Sequence, residues 1–451
     1  MEIPGPKELP LIGSTVRFAK QPLDFCLAAS QTYGDICQFS VGPNRWVLIN
    51  KAEFIQDILV NKASLFHKPK LNKRIFRLFL GNGLVSSDGE FWRKQHKMIR
   101  PAFHRERIES YASFMRTFTH EMLNEWKEND QIDICEEMTA LTLAIVAKSL
   151  FNADVKGDAK DVGQAMLVIS DVLVQHINKP IPVPKWWPSN ANKKKIRAIE
   201  SIQNIVNAII DDRKQRGVDD GDLLSMLVSA RDETGSGMDP IQLRDEIMTL
   251  FFAGHETTSI SLTWLWYLLA KNPEITKQVV LELDDVLAGR DPTIEDLSKL
   301  TYLDMVIKEG MRIIPSVWSF AREPIEDVPL GDYVLPKGAM VFISPYITHN
   351  DERYFPKAHT FDPERFSPQN EKSIPKGAYV PFSAGPRICL GKNFALMEIR
   401  LILSMMLQKV TPTLPDGFEA EFLPQLALRP KDGLPIIVQF RNQQPRQGGN
   451  T

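Results

Sequence analysis

The run Phe382-Ser-Ala-Gly385-Pro-Arg387-Ile-Cys389-Leu-Gly391 places one cysteine between two glycines. It directly precedes a stretch in which Phe394, Met397, Leu401 and Met405 recur at helical spacing. Each part has a physical use. A helix N-terminus brings partial positive charge and free N–H groups to the sulfur, favouring thiolate over thiol. Glycines let backbone approach a bulky flat ligand closely. Arg387, two residues before the sulfur, is placed to pair with a carboxylate on such a ligand. On residue types alone three readings of Cys389 stand: a packed small apolar residue, the nucleophile of a cysteine hydrolase, or a metal ligand.

A second group, Ala253-Gly254-His255-Glu256-Thr257-Thr258, sits in the middle of a long apolar stretch. A mid-helix glycine costs about 1 kcal/mol relative to alanine, so it asks for a reason such as close approach of a ligand. The adjacent acid and alcohol are suited to relaying protons; the alternative is a satisfied polar spot in a buried helix. The His-Glu pair begins like the HExxH zinc-protease motif, but Ser259 stands where the second histidine belongs, and that reading fails. Glu309 and Arg312 share a helix face at i, i+3; taken alone, such pairs are commonly surface decoration worth under about 1 kcal/mol. Trp92 and His96 share another face at i, i+4, with Arg93 beside Trp92.

Phe382, Gly385, Arg387, Cys389 and Gly391 match the haem-binding signature FxxGxRxCxG, and through it the chain resembles the cytochrome P450 family. The resemblance extends to AGx(E/D)T(T/S) at 253–258, ExxR at Glu309 and Arg312, and PERF at Pro363 to Phe366. It implies a P450-type fold and a haem b (iron protoporphyrin IX) whose axial thiolate is Cys389. The implied cofactor contacts are Trp92, Arg93, His96, Ala253, Arg322, Phe382, Arg387 and Gly391. Many relatives carry Arg where His96 stands, which leaves open whether His96 or Arg93 meets a propionate; a propionate neighbour would raise the pKa of His96. Glu256 and Thr257 take the acid and alcohol positions of oxygen activation, which argues against the peroxide-using branch. Glu309, Arg312 and Arg365 are expected to form a structural network behind the haem.

The implied reaction is insertion of one atom of dioxygen into a C–H bond of a lipophilic substrate. By the resemblance the pocket is lined by Val85, Phe252, Ala253, Thr257, Val317 and Trp318, apolar except for Thr257, which suits a fatty acid, terpenoid, steroid-like or carotenoid-like molecule. The run Lys70 to Arg77 is either a carboxylate anchor at the pocket mouth or a wet helix face. Electrons must come from a separate ferredoxin or flavodoxin-type partner with its reductase, because Gly81-Asn-Gly83 lacks the third glycine of a dinucleotide fingerprint. Arg93, Lys94, Lys97, Arg100, Lys392 and Arg400 are candidates for a basic docking face, or ordinary solvated charge. A non-catalytic haem sensor or carrier and a cysteine hydrolase remain the rival classes.

The elements that must position these residues are mostly helical. The longest helix has Asp239 as its N-cap, Pro240 in its first turn, and stops near Asn272-Pro273. Ile247 to Ala270 is long enough to span a membrane, but His255 and Glu256 at its centre favour a buried helix in a soluble protein. Two hairpins are expected, Ile36 to Ile49 turning at Gly42-Pro43-Asn44, and Asp332 to Ile343 turning at Pro336-Lys337-Gly338. The fold class is mainly α (α+β), with a small β-rich part to which the N-terminal region contributes. No linker or repeat divides residues 1–451, which read as one haem domain, with 443–451 as a disordered tail.

A net charge of -2 gives no support to nucleic-acid binding. The four cysteines form no CxxC pair, which favours a reducing compartment or a ligand role. The N-terminus lacks the pattern of a signal peptide. These features suit a cytoplasmic monomer without an integral membrane segment. Pro4-Gly5-Pro6 resembles the hinge that follows the anchor in membrane-bound relatives, so a removed anchor is the alternative. The turn Pro180 to Pro188, with Trp186 and Trp187, is a packed loop, a border of the substrate entrance or a segment that brushes a membrane.

Overall fold

The helices that position the site are, in chain order, α1 (Lys70–Leu80), α2 (Gly89–Ile99), α3 (Ile134–Phe151), α4 (Pro240–Lys271), α5 (Thr301–Ile313) and α6 (Lys392–Lys409). The computed structural model describes residues 1–9, 12–154, 165, 168–170, 190–217, 219–231 and 235–441. The turn carrying Trp186 and Trp187 and the tail at 443–451 lie outside them. Helix α4 begins and ends where its local chemistry requires. Asp239 accepts hydrogen bonds from the N–H groups of Ile241 and Gln242, both at 2.9 Å. Pro240 occupies the first helical position, where its missing N–H leaves no bond unmade. Asn272 followed by Pro273 ends the helix. Its 32 residues span about 48 Å, and it packs on α3, α5 and α6. Among the described residues no helix is long and apolar enough to cross a membrane.

The strands are short. In chain order they include β1 (Ile36–Val41), β2 (Asn44–Ile49), β3 (Phe66–His67), β4 (Phe320–Pro324), β5 (Val328–Leu330), β6 (Tyr333–Leu335), β7 (Met340–Ile343), β8 (Phe422–Pro424) and β9 (Leu428–Pro430). The first expected hairpin forms, with Ile36 opposite Ile49 and Val41 opposite Asn44. The second does not. The chain turns at Pro336, whose carbonyl accepts the N–H of Ala339 at 3.1 Å, but the flanking strands join different sheets. β6 pairs with β5, whereas β7 lies parallel to β2 and antiparallel to β4 in a five-stranded sheet ordered β1-β2-β7-β4-β3. All four β7 residues are buried, and a strand covered on both faces belongs inside a sheet. The result is a mainly helical fold with small sheets.

Glu309 and Arg312 of α5 are both fully buried. The guanidinium grips the carboxylate through Nε and Nη2, both at 2.7 Å, and donates to the carbonyls of His349 and Ala358, also at 2.7 Å. Arg365 approaches Glu309 at 3.4 Å, and the N–H of Asp362 donates to the same carboxylate at 2.9 Å. One ion pair thus fastens the chain from His349 to Arg365 onto α5. Removing one partner strands a buried charge, so Arg312→Met should lower the unfolding free energy by about 3–5 kcal/mol. Urea titration of the apoprotein measures this, and an unchanged midpoint would contradict it.

Candidate active site

The loop before α6 is shaped by contact with the rest of the chain. Gly385 has φ +68° and its backbone lies on the carbonyl of Leu59, where an added Cβ would sit 1.9 Å from the oxygen. The glycine is therefore needed for packing against protein, not for approach of a ligand. The N–H of Cys389 donates to the carbonyl of Phe382 at 2.9 Å, closing the loop. Cys389 is the one accessible cysteine of the four. Its exposure is to an internal cavity, so the sulfur is reachable yet largely removed from bulk water. Burial pushes the thiol up, and the N–H groups of Gly391 and Lys392 with the Lys392 charge oppose it. The helix terminus alone therefore does not secure a thiolate; burial outweighs it.

That cavity, of about 370 Å³, is walled by Val85, Trp92, His96, Ala253, Thr257, Val317, Arg322, Phe382, Arg387, Cys389 and Gly391. It shares Val85, Ala253, Thr257, Val317 and Arg322 with a second cavity of about 360 Å³, which reaches Phe252, Glu256 and Trp318. Nearly every expected cofactor and pocket residue thus faces one space in two arms. Arg93 does not: it is exposed on the outer side of α2, whereas Trp92 and His96 face inward with ring centroids 5.0 Å apart. Successive residues on a helix point about 100° apart, so the neighbour of an inward residue easily lies outside. Burial, then the charge of Arg100, lowers the pKa of His96 here, the reverse of what a propionate would do.

The walls carry a concentration of cations. Arg387 pairs with Asp88 and stacks 4.6 Å from the Trp92 ring centroid, but its Nη1 is buried without a partner. Arg322 donates to Ser383 Oγ at 3.3 Å, and burial, then Arg387, depresses its pKa to about 10. Lys68, which sequence reasoning missed, faces both arms. Its amine is bonded to the Leu84 carbonyl at 2.6 Å, and burial, then Arg387, lowers it to about 7. A lone lysine after His67 offers no spacing to read. These cations and the orphaned guanidinium nitrogen call for carboxylates, and the sulfur calls for a metal. An iron porphyrin answers both demands, because its metal would take the sulfur and its two propionates the cations.

Glu256 and Thr257 diverge. The Thr257 hydroxyl donates to the Ala253 carbonyl at 3.1 Å and faces both arms, whereas Glu256 is held by Arg429, at 2.9 Å, and by Ser170. Neither partner was legible, since both lie far away in sequence. Gly254 also has a different reason from the one its position suggests. A Cβ there would meet Val146 Cγ2 of α3 at 3.0 Å, so the glycine lets α3 and α4 pack closely. The loop bearing Val85 is fastened to α4 by two buried acids. Asp245 accepts the N–H of Asn82 at 2.7 Å and Glu246 that of Leu84 at 2.8 Å.

The class that this fold and cavity define is the haem-thiolate protein. The cytochrome P450 family profile matches residues 3–435. The chain is 35% identical over 403 residues to cyclooctatin synthase of Streptomyces melanosporofaciens, covering 89% of this chain and 87% of that protein. It is 34% identical over 407 residues to cyclooctat-9-en-7-ol 5-monooxygenase of the same organism, with 89% and 87% covered. It is 32% identical over 429 residues to cytokinin hydroxylase of Arabidopsis thaliana, covering 91% of this chain and 81% of that one. The chain belongs to the cytochrome P450 family, and it is a haem-dependent monooxygenase.

Burial raises Glu246 from its ordinary 4.5 to about 8. A raised folded-state pKa stabilises the fold fully below 4.5, and that stability is lost as pH rises through about 8. Glu246→Gln mimics the protonated acid and should remove this loss. Urea midpoints of the two apoproteins should agree near the acid end of the window and diverge at the basic end, with the glutamine variant the more stable. Parallel curves would refute the assignment.

Proposed function

We propose that this monooxygenase hydroxylates an uncharged lipophilic molecule of terpenoid type, using haem b bound through Cys389. The observation that carries the substrate class is the largely apolar wall of the outer arm. Its wall is aromatic and aliphatic, with Phe18, Trp46, Phe76, Phe252, Trp318, Phe342 and Leu426. Of the cations on this arm, Lys73 lies 3.6 Å from Asp88, while Lys68 and Arg322, which also line it, are assigned to the haem propionates. A fatty-acid carboxylate would have to compete with Asp88 or with a propionate for one of these cations. The name cyclooctat-9-en-7-ol describes an unsaturated alcohol without charge, and a relative carrying that name supports the same class.

Haem held by Cys389 supplies dioxygen activation and oxygen transfer to a C–H bond. The chain's own residues do the rest. Trp92, His96, Arg322, Arg387 and Lys68 would hold the propionates, while Arg93 is exposed on the outer side of α2. Val85, Ala253 and Val317 press the substrate toward the sulfur side and exclude water, while Phe252 and Trp318 hold its far end. Thr257 Oγ1, whose hydrogen goes to the Ala253 carbonyl, offers its lone pairs to a donor at the junction of the two arms, and Glu256 is the acid that supplies the proton. Glu309, Arg312 and Arg365 hold the fold beneath the site.

Both electrons come from a separate ferredoxin or flavodoxin. Arg93, Lys94, Lys97 and Arg100 lie exposed along α2 and its C-terminal end, outside the propionate cluster, where they would steer an acidic partner. Arg400 leaves the docking set because it is paired with Asp304. Four unpaired cysteines suit a reducing compartment such as the cytoplasm.

An optical titration of the haem-loaded protein tests the substrate class. Cyclic terpenoid alcohols should shift the iron from low to high spin at concentrations where fatty acids of similar size do not, and turnover under labelled dioxygen should place one labelled atom in the product. Preferential binding of the fatty acids would overturn the reading.

A further inference from the structure

The buried tryptophans differ in what holds their indole N–H. Among the described residues, Trp46 Nε1 and Trp266 Nε1 are buried without a partner, and Trp126 bonds the Glu137 carboxylate at 3.0 Å. Trp264 and Trp318 instead reach main-chain carbonyls of one hairpin, Leu428 at 2.6 Å and Gln425 at 2.8 Å. A buried indole generally finds some partner, but nothing general sends two of them to the same hairpin. In that hairpin β8 and β9 pair antiparallel, with Phe422 opposite Pro430 and Pro424 opposite Leu428, so Gln425-Leu426-Ala427 forms the tip. The Gln425 N–H donates to the carbonyls of Leu423 and Ala427 at 2.9 and 3.1 Å, which closes the tip on itself. The Gln425 carbonyl is turned outward, to Trp318.

This tip is a piece of the cavity wall. Pro424, Gln425, Leu426 and Ala427 all line the outer arm. The segment beside it grips the hairpin at alternate residues: the Ser316 carbonyl accepts the Leu428 N–H at 2.8 Å, and Trp318 holds the tip. Val317, between them, walls both arms. Trp318 is itself fixed. It is 6% exposed, its ring packs edge-on against Phe342 of β7 with centroids 5.9 Å apart, and its carbonyl accepts the Ser344 hydroxyl at 2.8 Å. At the base of the hairpin, Phe422 packs edge-on against Trp264 of α4, 5.2 Å away. A wall tied down at base and tip cannot give, and a close-packed wall that cannot give discriminates by shape.

We propose that Trp318 is the positioning residue that sets the size of substrate the outer arm accepts: its indole N–H holds the Gln425 carbonyl, and the tip so held keeps Leu426 in the arm's wall. The two parts of the side chain have separate roles. The ring borders the substrate, and the N–H stops the tip from swinging away. With the bond made the arm has one size, so a longer molecule must displace the hairpin and a shorter one loses contacts. With the bond lost the tip gives way, and molecules of different size are received alike. This rests on the outer arm being the substrate arm, as proposed above.

Spin-shift titration of the haem-loaded protein with borneol, cedrol and sclareol, uncharged cyclic terpenoid alcohols of increasing size, reads the effect. The parent should spread their dissociation constants over about tenfold or more, the discrimination a fixed apolar pocket supplies. Trp318→Phe keeps a ring but loses the N–H, and should narrow the spread to about threefold or less. Amide hydrogen exchange across residues 422–430 of this variant should quicken by about fivefold, as expected for one lost hydrogen bond, in apoprotein and haem-loaded protein alike. Leu426→Ala should narrow the spread with the Trp318 bond intact, and the double variant should go no further than either, because both act through the tip. Unchanged exchange in Trp318→Phe, faster exchange with an unchanged spread, or effects that simply add would overturn the proposal. So would a parent that binds the three alcohols alike. Where Trp318→Phe fails to fold or to load haem, Leu426→Ala decides, and an unchanged spread there counts against the tip. Dodecanoic, hexadecanoic and eicosanoic acids separate this proposal from the substrate class. If they bind in preference, the terpenoid reading falls, while a spread among them that narrows in Trp318→Phe upholds the role of Trp318. Binding of neither series would sink the outer arm as substrate arm and this proposal with it.

Discussion

Desolvation opposes charge, and the centre of this protein encloses the Cys389 sulfur together with the basic side chains Lys68, Arg322 and Arg387. Burial raises the Cys389 thiol and lowers Lys68 and Arg322. Asp88, paired with Arg387, is too little negative charge to satisfy them. A protein built this way keeps part of its stability in reserve for a bound group, because a ligand that meets only the folded state adds its binding free energy to folding. The cavity is also held open from several sides at once. α4 forms one wall through Ala253 and Thr257, α2 another through Trp92 and His96, and the Phe382–Gly391 loop a third.

The same constraint separates the functions of neighbouring residues. Along α2, inward Trp92 and His96 face the cavity while outward Arg93 and Lys94 face solvent, so one helix serves both the proposed propionate site and the proposed docking face. Along α4, Thr257 faces the reaction space while Glu256 is tied to Arg429. The outer arm is largely apolar, with Lys73 of α1 beside Asp88 at its mouth.

What the sequence made legible was local. Asp239, Pro240 and Asn272-Pro273 set the bounds of α4 because capping acts within a few residues. The Ile36 to Ile49 hairpin followed from one turn and two alternating strands. The Asp332 to Ile343 hairpin was misread because β6 and β7 are adjacent in sequence but are claimed by β5 and β2, and long-range pairing decides between sheets. Gly254 and Gly385 signalled tight contact correctly, but the contacts are Val146 and Leu59, which no local pattern reveals. Lys68, Glu246 and Arg429 escaped for the same reason: each is a single charged residue whose meaning comes from what the fold brings beside it.

The proposed function turns on one proposed bond, between the Cys389 sulfur and haem iron. The optical spectrum of the reduced carbon monoxide complex reads the ligand opposite the gas directly, because a thiolate donates electron density that an imidazole or a neutral thiol does not. The protein should give the long-wavelength thiolate carbonyl band, and Cys389→Ala should lose that band while any retained haem shows the short-wavelength form. A thiolate band that survives the substitution, or a parent protein that binds haem yet never shows the band, would contradict the account.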